Sequence, residues 1–207
     1  MALAQTSAKI ARFYPIVPDV GWLERIAPLG VETVQLRIKD QQETDVRRQV
    51  RLALEIARKH GCQLIVNDFW KVAIEEGADF IHLGQDDLKG ADIAAVRRAG
   101  IRIGVSTHDA GELDAALAIR PDYVALGPIY ETKLKVMPWA PQGLARVTEW
   151  KQKIGGLQLI GIGGITPERA GDVLAAGADS VAVITDFMTA ADPEARVRRW
   201  VALAAGH

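Results

Sequence analysis

Short β-rich runs alternate with amphipathic helical stretches along nearly all of the 207 residues, and this alternation leaves few folds open. The strand candidates are FYPIV (13–17), TVQLRIK (33–39), CQLIVN (62–67), DFIHLG (79–84), IRIGVS (101–106), YVALGPI (123–129), LQLIGIG (157–163) and SVAVIT (180–185). Helical stretches fall near 21–28, 44–60, 69–76, 91–99, 109–119, 142–153, 167–176 and 192–204. Mostly apolar strands, each separated from the next by a helix, imply a parallel sheet covered on its faces. Eight such units fit a closed (β/α)8 barrel better than an open doubly wound sheet, which is the alternative. KHG, EEGAD, RRAG and LAAGAD precede strands 3, 4, 5 and 8, where a glycine can end a helix and redirect the chain. One α/β domain is expected over 13–207, with 1–12 as an N-terminal extension.

Composition narrows the partners. With 49% hydrophobic residues the chain can bury one substantial core. A formal charge of -1 gives no electrostatic reason to expect nucleic acid or an anionic membrane, so a bound anion must be held by a few placed groups. Cys62 is the only cysteine and sits in the apolar run CQLIV, which reads as core packing and offers no thiolate metal site. The stretch MALAQTSAKIAR lacks the apolar run of a secretory signal, and no segment approaches membrane-spanning length. A cytoplasmic location is expected. The scattered tryptophans read as helix packing or contacts in a homo-oligomer.

Barrel chemistry gathers at the C-terminal ends of strands. In VQLRIK, Val34, Leu36 and Ile38 share one side and Gln35, Arg37 and Lys39 the other. The apolar side should face the helices, so the polar series points into the barrel or its mouth, where unpaired charge calls for a bound anion or a fixed carboxylate. Asn67 and Asp68 end strand 3. In HLGQDDL (82–88) two carboxylates, Asp86 and Asp87, follow strand 4. Asp68 and Asp87 are suitable oxygen ligands for Mg²⁺, with capping of the following helices as the alternative and Asp86 as the solvated member of the pair. His82 is equally consistent with a core hydrogen bond and a substrate contact, and His108 with capping or solvation. After strand 7, GIGGITP offers glycine backbone and a Thr166–Pro167 helix start, with Thr185 beyond strand 8, as a second anion station. Thr132, Lys133 and Lys135 lie between the stations in the strand 6 loop.

The ordered series QLRIKD, IVNDFWKVAIEEGADFIHLGQDDL, IGVSTH, YVALGPIY and IGIGGI resembles the thiamine-phosphate synthase (thiamine-phosphate pyrophosphorylase) family over roughly residues 13 to 188. The resemblance implies a (β/α)8 barrel that joins 4-amino-2-methyl-5-hydroxymethylpyrimidine diphosphate to a thiazole phosphate, releasing pyrophosphate. By that resemblance, Asp68 and Asp87 match Mg²⁺ ligands and Gln35 a pyrimidine contact. Arg37 and Lys39 match diphosphate contacts, Asn67 a diphosphate or pyrimidine contact, and Ser106 the residue near the pyrimidine amino group and the leaving diphosphate. Thr132 and Lys135 match the strand 6 loop, and Gly164, Ile184 and Thr185 the thiazole phosphate cradle. Arg37, Lys39, Ser106 and Lys135 are the expected catalytic set. Where the family commonly reads P-T-x-T-K after strand 6, this chain reads ETKLK, with Glu131 for the proline and Leu134 for the second threonine. Two other readings are a related barrel that isomerises thiazole phosphate and a phosphate-sensing barrel without turnover.

Overall fold

The computed structural model describes residues 9–132 and 139–206. Eight parallel strands close into a barrel in sequence order, with the first pairing to the last. They are β1 (Phe13–Val17), β2 (Thr33–Leu36), β3 (Gln63–Asn67), β4 (Phe80–Leu83), β5 (Arg102–Thr107), β6 (Tyr123–Leu126), β7 (Gln158–Ile162) and β8 (Ser180–Val183). Around them run α1 (Val20–Ile26), α2 (Glu43–His60), α3 (Trp70–Glu76), α4 (Gln85–Gly90), α5 (Ile93–Arg98), α6 (Ala110–Ala118), α7 (Gly143–Ile154), α8 (Pro167–Ala175), α9 (Thr185–Met188) and α10 (Pro193–Ala205). Gly61 and Gly77 end α2 and α3 at φ 66° and 68°, and each donates back to a carbonyl of the last turn.

Strand parity divides the apolar side chains into two cores. Residues facing outward, such as Val34, Leu36, Leu64, Val66, Ile103, Val105 and Leu159, pack with the helices. Those facing inward, among them Tyr14, Ile16, Ile65, Phe80, Tyr123 and Ile160, fill the lumen. Two buried tryptophans lock helices to the outer surface. Trp200 stacks on Phe13 with ring centroids 5.2 Å apart, and Trp150 Nε1 donates to Thr107 Oγ1 at 2.9 Å. Cys62 is buried, and burial pushes its thiol up to about 12, as suits a packing residue. At the floor, Ile10 exchanges hydrogen bonds with the Gln158 side chain, and Ser180 Oγ donates to the Ala11 carbonyl at 2.6 Å.

Three boundaries differ from the sequence expectation. β2 ends at Leu36, so Arg37 to Lys39 leave the ladder and climb to the mouth. Two short helices, α4 and α5, stand where one was expected, and Thr185 opens α9 instead of closing β8. Both missed helices are only 6 and 4 residues long and lack a repeating apolar face, with Leu88 and Phe187 as their chief anchors.

Candidate active site

The strand tips surround an open cavity of about 450 Å³. Gln35, Arg37, Lys39, Asn67, Asp68, Asp87, Ser106, Thr132 and Ile184 all line it, so residues up to 149 positions apart in sequence face one space. Gly164 and Thr185 are not part of that lining, and Lys135 lies outside the described residues.

The β2 alternation positions the first group as its sequence suggested. Gln35 is buried in the lumen, whereas Val34, Leu36 and Ile38 join the outer core. Arg37 is partly buried, and its guanidinium makes no hydrogen bond or ion pair with the described residues. Lys39 Nζ lies 2.5 Å from Asp68 Oδ2. Asp68 holds a left-handed backbone, φ 65°, a conformation that costs a non-glycine residue about 1–2 kcal/mol. Its carboxylate is spent on Lys39 rather than on α3, whose N-cap is Phe69 without a side-chain cap.

Asp87 sits in the first turn of α4, and the N-cap there is Gly84. Burial and the neighbouring Asp68 carboxylate hold the Asp87 carboxyl above the usual carboxylate range, partly offset by Lys39. Two like charges at a cavity edge fit a hard cation that completes its shell with water and phosphate oxygens, as Mg²⁺ does. Among the described residues no group of three or more His, Cys, Asp or Glu side chains comes together, so this rim offers a pair of carboxylates and not a closed protein cage. Asp86 is solvated and pairs with Lys89.

Asn67 is buried, and its Nδ2 has no hydrogen-bond partner among the described residues. An unmet buried donor costs about 1–3 kcal/mol, which a ligand oxygen at the cavity would relieve. Gln85 ties the base of α4 to strand 5 by donating to the Ser106 carbonyl at 2.7 Å.

The second rim uses its glycines differently. A Cβ on Gly164 would lie 2.4 Å from the Glu131 carbonyl oxygen, and one on Gly163 2.7 Å from Pro128. Tyr130 N donates to the Gly163 carbonyl, and Arg169 both donates to the Gly164 carbonyl and covers the Tyr130 ring. Glycine is thus required by the close seating of the strand 6 loop on the strand 7 turn. α8 does begin at Thr166–Pro167.

On the floor of the cavity, sequence reasoning offered a core hydrogen bond for His82 but missed the two tyrosines it joins. His82 Nε2 lies 2.8 Å from Ser106 Oγ and its Nδ1 2.7 Å from Tyr123 Oη, which in turn lies 2.9 Å from Tyr14 Oη. Burial pushes the His82 imidazole down to about 4, with Asp68 opposing and Arg37 adding to the shift. Inward parity at positions 14, 82 and 123 was the available signal. His108, which lines the cavity, bonds Glu112 through Nδ1 and stacks on Trp139, so that tryptophan packs on a histidine of the rim.

The thiamine monophosphate synthase family model matches residues 13–187. Thiamine-phosphate synthase of Rhizobium etli is 56% identical over 193 residues, which cover 93% of this chain and 95% of that one. The Klebsiella pneumoniae enzyme of the same name is 45% identical over 191 residues, covering 92% and 90%. Thiamine phosphate pyrophosphorylase from Pyrococcus furiosus shares the fold with a TM-score of 0.80 at 24% identity, over 94% of this chain and 96% of that one. A match running from the first strand to the helix behind the eighth, together with relatives this similar over nearly their whole length, makes the chain a member of the thiamine monophosphate synthase family.

Proposed function

We propose that this protein is an Mg²⁺-dependent thiamine-phosphate synthase, a transferase that joins 4-amino-2-methyl-5-hydroxymethylpyrimidine diphosphate to 4-methyl-5-(2-phosphoethyl)-thiazole and releases pyrophosphate. Family membership supports the reaction and the two substrates. The observation that carries the reading to the site is an arginine without a counter-ion among the described residues, beside a lysine and two crowded aspartates, all on one cavity. Asp68 and Asp87 would hold Mg²⁺, which supplies charge neutralisation for the leaving diphosphate. Arg37 and Lys39 bind the same diphosphate, and Asn67 satisfies its free amide against the diphosphate or the ring. Gln35 orients the pyrimidine, and Ser106 lies between ring and leaving group. Thr132 and Lys135 of the strand 6 loop, with Ile184 and Thr185 beyond strand 8, serve the thiazole phosphate, and Gly164 acts there by letting that loop seat on the strand 7 turn.

Bond breaking comes first in this scheme. The C–O bond to diphosphate opens, the aminopyrimidine ring stabilises the cation left on its methylene carbon, and the thiazole nitrogen attacks that carbon. No protein nucleophile is used, so catalysis consists of orienting two rings and stabilising departing charge. Residues 13–207 form the catalytic domain. Among the described residues no helix is long and apolar enough to cross a membrane, which accords with the cytoplasmic location proposed here.

Pyrophosphate release measured with both substrates, either alone, and with or without Mg²⁺ tests this reading. Expected is release only with both substrates and metal. Metal-independent isomerisation of the thiazole phosphate without a coupled product would replace it.

A further inference from the structure

Along the floor of the cavity, five polar side chains form one continuous line across the lumen. Gln35 Nε2 donates to Tyr14 Oη at 2.7 Å, and the Tyr14 and Tyr123 hydroxyls meet at 2.9 Å. Tyr123 Oη then meets His82 Nδ1 at 2.7 Å, and His82 Nε2 meets Ser106 Oγ at 2.8 Å. Tyr123 is 0% exposed and Tyr14, which borders the cavity, 1%, so both hydroxyls are held by protein partners. Gly104 belongs to the same construction. It sits between His82 and Tyr123 in the strand register, and a Cβ there would fall 2.0 Å from Tyr123 Cζ. Only glycine lets the Tyr123 ring cross the lumen and reach both partners.

Counting hydrogens gives the line a direction. Each hydroxyl has one hydrogen to donate, and a neutral imidazole carries one. Tyr14 Oη already receives the Gln35 amide hydrogen, so its own hydrogen goes to Tyr123. The Tyr123 hydrogen goes to His82 Nδ1, which places the imidazole hydrogen on Nε2, donated to Ser106 Oγ. The Ser106 hydrogen is then left for the cavity. Reversing the line would leave the Tyr14 hydrogen without a protein acceptor among the described residues, since Gln35 Nε2 is a donor.

We infer that His82, backed by Tyr123 and Tyr14, is a positioning residue that presents the Ser106 hydroxyl to the substrate as a hydrogen-bond donor. This rests on the transfer reaction proposed above. The acceptor is an oxygen of the diphosphate, because an aromatic amino group offers a donor no good lone pair. A donor already aligned by a buried network needs no reorganisation as charge grows on the leaving oxygens. Its contribution therefore appears in kcat more than in KM.

Nitrogen-15 NMR of the ligand-free protein reads the tautomer directly, with a His82→Gln variant assigning the signals among the four histidines. The expected result is hydrogen on Nε2. Hydrogen on Nδ1 overturns the inference, since Ser106 must then spend its own hydrogen on Nε2. In kinetics, Tyr123→Phe should lower kcat about tenfold and move KM for the pyrimidine diphosphate less than about threefold, as expected for a lost transition-state hydrogen bond. The same substitution should cost nothing further in a Ser106→Ala background. Unchanged kcat in a folded Tyr123→Phe protein, or fully additive losses, also overturns it. If Tyr123→Phe fails to fold, the wild-type tautomer still decides. Because that tautomer is read without substrate, an Nε2 hydrogen in a protein that makes no thiamine phosphate would sink the proposed reaction. An Nδ1 hydrogen in an active enzyme would sink the positioning role alone.

Discussion

Between strands 2 and 4 the barrel mouth holds an arginine, a lysine and two aspartates; between strands 6 and 8 it holds glycine backbone pressed against a neighbouring loop. Sequence suggested an anion station at both. The charged rim remains unfinished among the described residues, with Arg37 lacking a counter-ion, Asn67 Nδ2 lacking a partner and Asp87 crowded by Asp68. The glycine rim is largely accounted for by the protein itself, because Gly163 and Gly164 are where Pro128, Tyr130 and Glu131 need room. An unmatched charge therefore says more about a ligand than a glycine does, until one asks what fills the space of the missing Cβ.

That difference can be broken by substitution. Asp68→Ala and Arg37→Ala should each lower turnover by about 10²–10³, comparable to removing a preorganised group that stabilises transition-state charge, while the far-ultraviolet circular dichroism stays native. Near-normal turnover in both folded variants would make the charged rim structural. Gly164→Ala should act in the opposite order. With φ at 65° and the Glu131 carbonyl 2.4 Å from the new Cβ, it should lose about 1–3 kcal/mol of stability in urea unfolding. Unchanged stability with lost affinity for thiazole phosphate would mean that this backbone serves the ligand directly.

The barrel was legible because eight strand–helix units repeat and because VQLRIK states its own orientation: one parity is apolar, the other charged. The convergence of Gln35, Arg37, Lys39, Asn67, Asp68, Asp87 and Ser106 followed from strand-end position. Helices α4 and α9 were not legible, since so short a helix shows no apolar period. The left-handed turn at Asp68, which an aspartate tolerates, was not legible either, because its partners are distant in sequence: its N–H donates to the His82 carbonyl and its carboxylate meets Lys39. Tyr14 and Tyr123 sit in runs that read as plain β-formers. Their hydroxyls acquire meaning only when the closed barrel brings positions 14, 82 and 123 to one height, with Gly104 leaving the gap between them.

Calorimetric titration of inorganic pyrophosphate into the wild-type and Asp87→Ala proteins, each with and without Mg²⁺, tests most directly whether the four charged side chains form one diphosphate site. Expected is tight binding by the wild-type protein only with Mg²⁺, and loss of the metal's effect in Asp87→Ala. Equal affinity in all four titrations would contradict it.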